Sequence, residues 1–262
     1  MTAVEAAPNA GARGITVEHL SKTFGSLAVL DDVSLQVRRG EFVSILGPSG
    51  CGKSTLFSLL TGVHDPDSGR CFIDGEPLAP SRRPFAWMPQ RDALLPWRTV
   101  SGNVALGAEV AQGMRRRHAR AATAHLLQDF GISEFADSLP HEISGGMRQR
   151  VALARTIAQN RNIALLDEPF GALDALTRTD LQLWLESMWR TERWSVLLIT
   201  HDVREAVLLS DRIYVLSDRP ARVVGEFSVD LPRPRTIDLL AAPKVAALEV
   251  ELLHALGGTR SD

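Results

Sequence analysis

Nine consecutive residues, Gly47-Pro48-Ser49-Gly50-Cys51-Gly52-Lys53-Ser54-Thr55, are of the types and order that hold phosphate. They fit the pattern G-x-x-x-x-G-K-[ST] in the context it requires. An apolar run at 41–46 reads as a strand before them, and Leu56-Phe57-Ser58-Leu59-Leu60 reads as a helix after them. In a glycine-rich turn, successive backbone N–H groups converge on a concavity that fits anionic oxygens. The helix that follows adds the positive end of its dipole to the same spot. Lys53 can reach the outer phosphates, and the Ser54 hydroxyl can ligate Mg²⁺. Alone, the loop says only that a nucleotide binds.

Further residues narrow the chemistry. Asp167-Glu168 closes the apolar run Ile163-Ala164-Leu165-Leu166. An Asp there is placed for the Mg²⁺ shell, and the adjacent Glu can polarise an attacking water. His201 directly follows a second apolar run, at 196–200. From that position an imidazole can bond a γ-phosphate, although a lone His is more often structural. Gln90, in Met88-Pro89-Gln90, can complete the shell of metal and water. Ser144-Gly145-Gly146 opens a helix that continues Met147-Arg148-Gln149. A hydroxyl, two glycines and a helix terminus make a second anion nest, far in sequence from the first. Within one chain the intervening segment would have to fold back across the site to join the two nests. Two chains head to tail could bring them together.

The elements that must position these groups alternate in kind. Residues 15–20 alternate as a half-buried strand does, 22–25 read as a turn, and 30–37 as another strand. Asp65-Pro66-Asp67-Ser68-Gly69 is a turn signal ahead of a short strand at 71–73. Strand signals then fade, and helices are expected over 100–114 and 115–130, with Gly131 as the stop. Arg115-Arg116-Arg117 with Arg120 reads as a solvated helix face, with a partner contact as the alternative. Buried strands at 163–167 and 196–200 flank a helix over 176–191. Closing strands follow at 211–216 and 222–227, then a helix over 244–256. The pattern is α/β: a mixed sheet with helices on both faces, an antiparallel β region, and an inserted helical subdomain. The site belongs at the C-terminal ends of the strands.

Composition excludes several classes. A net charge of -2 offers no basic field for nucleic acid. Cys51 and Cys71 form neither a metal pattern nor a disulfide framework, which suggests a reducing compartment. Cys51 reads as a small residue that fits the loop; the alternative is a thiol activated by the helix terminus. No apolar run reaches the ~18–20 residues that span a bilayer, so any membrane role comes through a partner. The Ala-, Pro- and Gly-rich residues 1–14 read as a disordered tail and not as a secretory signal.

Taken together, these motifs resemble an ATP-binding-cassette ATPase subunit, over about residues 15–227. The resemblance implies a P-loop NTPase core with a helical subdomain at about 91–150 and a short extension at 228–262. Residues 47–55 match the Walker A loop, 163–167 Walker B, Glu168 the catalytic glutamate, Gln90 the Q-loop glutamine and His201 the switch histidine. Phe24 matches the aromatic residue that stacks on adenine. Ser144, Gly145, Gly146 and Gln149 match the signature that completes the site of a second copy, and Asp174 matches the D-loop aspartate at the seam. Two positions depart from the family pattern: Ile143 stands where Leu is usual and Gly171 where Ser is usual. The first conserves volume; the second removes a hydroxyl but keeps Asp174.

A finer resemblance is to the nitrate/sulfonate/taurine importer subfamily. It rests on Leu94-Leu95-Pro96-Trp97-Arg98-Thr99-Val100, on the run from Asp167 to Arg178, and on Leu216-Ser217-Asp218-Arg219-Pro220. It implies ATP and Mg²⁺ as cofactors and a homodimer formed on ATP. It also implies an integral-membrane permease as partner, a solute-binding protein met only indirectly, and a place at the cytoplasmic face of the inner membrane. The cluster Leu94, Leu95, Pro96 and Trp97 either packs within the helical subdomain or forms part of a groove for the permease. The other readings are the ATPase of another import, export or lipoprotein-release system, or a soluble non-transport cassette ATPase. The single Walker A loop and the lack of a heptad run argue against the last.

Overall fold

A computed structural model describes residues 14–79 and 84–258. The segment read as a disordered tail lies outside them, apart from Gly14. Strands β1 (Ile15–Phe24) and β2 (Leu27–Val37) form a hairpin, and β3 (Phe42–Leu46) runs into the phosphate loop and helix α1 (Lys53–Leu60). After β4 (Ser68–Ile73), β5 (Glu76–Pro77) and β6 (Phe85–Met88) come α2 (Val100–Gln112), α3 (Arg116–Ala122), α4 (Ala124–Asp129) and α5 (Gly145–Ile157). Then follow β7 (Ile163–Asp167), α6 (Ala175–Glu192), β8 (Ser195–Ile199), α7 (Val203–Leu209), β9 (Arg212–Leu216), β10 (Val223–Ser228) and α8 (Pro243–Gly257).

The apolar runs become the middle of a six-stranded sheet of order β10-β9-β3-β8-β7-β6. β9, β3, β8, β7 and β6 are parallel, and β10 closes the edge antiparallel to β9. Every residue of β3, β7, β8 and β9 is buried, because elements cover both faces. Alternate side chains split between the two layers. Phe42, Ala164, Leu166, Val196 and Leu198 pack with Val151, Leu185 and Trp189 of α5 and α6. Val43, Ile45, Leu165, Leu197 and Ile199 pack with Leu56 and Phe57 of α1 and with the second sheet, which is antiparallel with order β2-β1-β4-β5. The phosphate loop, Glu168 and His201 all follow C-terminal ends of parallel strands, so one edge of the sheet gathers them.

Three expectations need correction. Residues 22–24 continue β1 and are not a turn: Thr23 pairs with Ala28 and Phe24 with Leu27, leaving only Gly25-Ser26 to turn, with Gly25 at φ 60°. The helix expected over 115–130 breaks at Thr123, which sits at φ -100°, ψ 2° while both its N–H (3.0 Å) and its hydroxyl (2.8 Å) donate to the Ala119 carbonyl. Arg115, Arg116 and Arg117 are exposed as expected, but Arg120 turns inward to donate to the Thr99 hydroxyl at 3.3 Å. The short helix α7 was not foreseen. Asp202 caps its start, accepting from Arg204 N–H and Glu205 N–H.

The last part of the chain packs back on α7. Val245 and Leu252 of α8 are fully buried against Ala206 and Val207. Between β10 and α8, the buried Arg235 guanidinium donates to the carbonyls of Val207, Leu208, Ser210 and Val229, capping the C-terminal end of α7. Arg233 lies 4.0 Å over the Trp189 ring and donates to the Leu209 carbonyl and the Asp211 carboxylate.

Candidate nucleotide site

The phosphate loop opens onto a cavity of about 460 Å³. Ser49, Gly50, Gly52, Lys53, Ser54 and Thr55 line it from the loop, and Gln90, Glu168 and His201 face them. Gly52 holds φ 128°, a conformation that L side chains rarely adopt, and a Cβ there would come within 2.9 Å of both Val29 and Leu30. Glycine is therefore required for the turn that launches α1. No side chain caps that helix, so its first N–H groups remain available to anionic oxygens. Lys53 is buried and donates to the carbonyls of Gly47 (2.7 Å) and Pro48 (2.9 Å). Burial pushes the Cys51 thiol up, against the pull of Lys53 and the loop amides. This fits the reading of a small loop-filling residue, not an activated thiol.

Glu168 stands at the centre of the opposite wall. Its Oε2 accepts from Gln90 Nε2 at 3.3 Å, and its Oε1 lies 3.3 Å from His201 Nδ1. Its backbone is left-handed, φ 48°, a region costly for a residue with a Cβ. Three bonds hold it there. Glu168 N–H donates to the Ile199 carbonyl (2.9 Å), and the Glu168 carbonyl accepts from Gly171 N–H (3.2 Å) and Gln149 Nε2 (3.2 Å). The site thus spends backbone strain to aim one carboxylate.

Asp167, one residue back, is buried, and its Oδ1 has no hydrogen-bond partner. Burial pushes its carboxyl up to about 6, against a hydrogen bond from Ser54. An orphaned, buried carboxylate oxygen beside a hydroxyl is a donor set that suits a hard cation. Mg²⁺ takes one or two carboxylates together with substrate phosphates, which is what Asp167 and the adjoining cavity offer.

Other expected residues lie outside the cavity's lining. Ser144 caps α5, accepting from Met147 N–H at 3.2 Å, and is exposed together with Gly145. Gln149 is buried and serves its own chain through Glu168. Asp174 caps α6, and the Thr177 N–H holds its carboxyl below the usual range. Phe24 is 40% exposed at the end of β1, its ring edge-on to His64 at 5.1 Å. Two residues lining the cavity were not singled out for it: Val29 on β2 and Arg219 after β9. An apolar strand residue gives no signal, and the string around Arg219 stood out only as a subfamily resemblance.

The segment behind Gln90 is pinned to the helices. Buried Asn103 of α2 accepts from Leu95 N–H and donates to the carbonyls of Leu95, Arg98 and Thr99. Arg155 of α5 donates to the carbonyls of Asp92 and Ala93, and Arg148 pairs with Asp92. The apolar cluster divides. Leu94 packs on the core, whereas Trp97 is 74% exposed.

Behind His201, Glu205 of α7 is buried beside a cavity of 30 Å³ that Glu168 and His201 also line. Burial pushes its pKa up to about 8, with Asp202 adding to the rise and Thr200, Gln182 and Arg178 opposing it. Between its ordinary value and about 8, the folded chain holds this proton and the unfolded chain does not. Stability is therefore lost as pH rises through that window. Glu205→Gln should match wild type near pH 4–5 and exceed it at about pH 9 by on the order of 5 kcal/mol. Denaturant melts at the two pH values check this; parallel pH dependence in both proteins would count against it.

A family model described as ABC transporter matches residues 30–171. The chain belongs to the ABC transporter family. It is 42% identical to a putative ATP-binding protein of Brucella abortus over 242 residues, covering 92% of this chain and 93% of that one. It is 40% identical over 267 residues to the aliphatic sulfonates import ATP-binding protein SsuB 3 of Pseudomonas savastanoi, covering 100% and 94%. It is 42% identical to the nitrate import ATP-binding protein NrtC of Synechococcus elongatus, covering 92% of this chain and 38% of that longer one. A dimeric structure of a bacterial ABC transporter cassette superposes with TM-score 0.74 at 29% identity, over 83% of this chain and 100% of that one. The same cassette in a post-hydrolysis state bound to ADP and Pi gives TM-score 0.74 at 28% identity. The protein is an ABC-type ATPase with the fold of an ABC cassette, and no helix among its described residues is long and apolar enough to cross a membrane.

Proposed function

We propose that this ATPase drives an importer for small solutes of the nitrate, sulfonate and taurine kind, from the cytoplasmic face of the membrane. The relatives named for nitrate and sulfonate import support the substrate class. Residues 15–227 form the nucleotide-binding unit, with about 91–150 as its helical subdomain and 228–262 as an extension. One observation carries the mechanism: Glu168 is held between Gln90 and His201 opposite the phosphate loop, while the anion nest at Ser144 faces elsewhere.

ATP phosphates lie on the free N–H groups of the loop and α1, with Lys53 released from its two loop carbonyls to meet them. Phe24 stacks on adenine. Ser54, Asp167 and Gln90 would hold Mg²⁺, which supplies charge neutralisation on the phosphate oxygens. Glu168 orients a water and takes its proton. The water oxygen bonds the γ-phosphorus as the bond to the β–γ bridging oxygen breaks, and ADP carries the electron pair away. His201 and Gln90 fix the carboxylate and sense the departing phosphate. Ser144, Gly145 and Gly146 of the partner subunit complete the charge on the γ-phosphate, with Gln149 setting that helix against its own Glu168. Asp174 meets the partner across the seam.

The outlet is the segment from Gln90 to Trp97. Leu94 anchors it, and exposed Trp97 offers an apolar contact to a permease helix. The solute-binding protein acts on the permease and touches this subunit only through it; nucleic acid plays no part. Trp97→Ala should leave hydrolysis by the isolated subunit within about twofold and lower permease co-purification at least tenfold, as loss of an exposed anchor residue does. Unchanged co-purification would overturn this outlet. The import reading is tested by co-purification with a membrane permease, followed by a solute screen in the reconstituted complex. Sulfonates or nitrate failing to stimulate ATPase activity, where another class succeeds, sinks the substrate class.

A further inference from the structure

The loop after β9 reaches the nucleotide cavity from the side opposite Glu168. It is fastened to β2 by backbone bonds. Ala221 N–H donates to the Val29 carbonyl at 2.9 Å, and Asp31 N–H donates to the Ala221 carbonyl at 3.0 Å. Arg222 adds an ion pair with Asp31, and Ser217 bridges the base of the loop by accepting from Arg222 N–H at 2.9 Å. Val29 itself lines the cavity. The segment is therefore a rigid arm between the antiparallel sheet and the phosphate loop.

At the tip of the arm is Arg219. Its Nε donates to the Gly50 carbonyl at 3.0 Å, and its Nη2 donates to the same oxygen. The other end of that peptide is held too: Cys51 N–H donates to the Pro48 carbonyl at 3.3 Å. A trans peptide is planar, with its carbonyl and N–H pointing in opposite directions, so fixing both ends sets the orientation of the plane. Gly50 sits at φ 79°, where glycine is least restrained, and a Cβ there would lie 3.3 Å from Arg219 Nη2. The guanidinium thus restrains the loop where its own sequence restrains it least. It also lines the cavity, where it adds a fixed positive charge.

We propose that Arg219 is a positioning residue of the nucleotide site: it fixes the Gly50–Cys51 peptide of the phosphate loop and presents its charge to the phosphates of the bound nucleotide. This rests on the ATPase reading of the cavity. The arm also ties nucleotide affinity to β2, so the two sheets close on the ligand as one unit. Arg is needed and Lys is not equivalent, because a single ammonium cannot offer the planar two-donor fork.

The test uses the full chain with Mg·ATP, ADP and adenosine as probes. Arg219→Ala should raise KM for ATP and Kd for ADP about five- to tenfold, change kcat less than about twofold, and leave adenosine inhibition unaltered. Arg219→Lys should fall between Ala and wild type. Wild-type turnover that is lost in Lys53→Ala but shows unchanged KM and ADP affinity in a folded Arg219→Ala sinks Arg219 and leaves the ATPase standing. An equal loss for adenosine and ADP would overturn the phosphate assignment. If the Ala variant does not fold, Arg219→Lys decides alone: wild-type values overturn the proposal, and weaker ADP binding with adenosine unaltered upholds it.

Discussion

Glu168→Gln should lower ATP turnover by about 10²–10³-fold while leaving ATP binding within a few-fold of wild type. Gln keeps the size of the side chain and can still meet Gln90 and His201, which stand 3.3 Å from the two carboxylate oxygens. The backbone bonds that hold φ 48° do not involve the side chain and survive the change. On the proposed mechanism, what is lost is the base. Binding should be spared because the loop and Lys53, proposed to hold the phosphates, belong to the other wall. With hydrolysis stopped, ATP should hold two copies together, so gel filtration with ATP should show a dimer that ADP does not support. Turnover within tenfold of wild type would remove Glu168 from its assigned role.

A mixed dimer should regain activity that neither parent has. Lys53→Ala removes the phosphate-loop cation, and Ser144→Arg blocks the anion nest at the start of α5. Each variant alone should fall by at least about 10²-fold, since each loses a contact to transition-state charge. Pairing one of each puts both lesions in one site and leaves the other site intact, provided that every site takes its loop from one copy and its nest from the other. An equimolar mixture should then recover up to about a quarter of wild-type turnover, since random pairing makes half the dimers mixed and each has one working site. In a Glu168→Gln background the same mixture should trap one ATP per mixed dimer, a readout that holds even if turnover needs both sites. No recovery and no trapped ATP would mean that each chain completes its own site. The structure motivates the experiment because Ser144 and Gly145 are exposed and absent from the lining of the cavity that holds Lys53.

Much of this was legible in the sequence, for physical reasons. Of the four buried strands, β7 and β8 announced themselves as buried because a sheet covered on both faces favours uninterrupted apolar runs; β3, with Ser44, and β9, with Arg212, read only as strands. The phosphate loop announced itself because only glycine permits its backbone. Glu168 and His201 could be assigned roles because they directly follow buried strands. Less was legible where contacts are non-local. The left-handed backbone of Glu168 has no signature in residue type, since it is imposed by Ile199, Gly171 and Gln149. Gln149 reads as part of the nest but turns inward. Asn103, Arg148 and Arg155 look like ordinary helix residues until the fold lays the segment after Gln90 across them. The break at Thr123 is a local change of backbone angles that helical periodicity does not reveal.

The cap on α7 has a consequence for the order in which the chain matures. The carbonyl of Val207 waits for Arg235, 28 positions later in the chain. During synthesis, β3, the phosphate loop and α1 emerge early, but β3 gains its sheet partners only when β8 and β9 have followed. The helix that begins beside His201 has its last carbonyls satisfied only once the segment carrying Arg235 has left the ribosome. A chain made only as far as β10 therefore carries the whole phosphate loop while the helix beside His201 still lacks its cap.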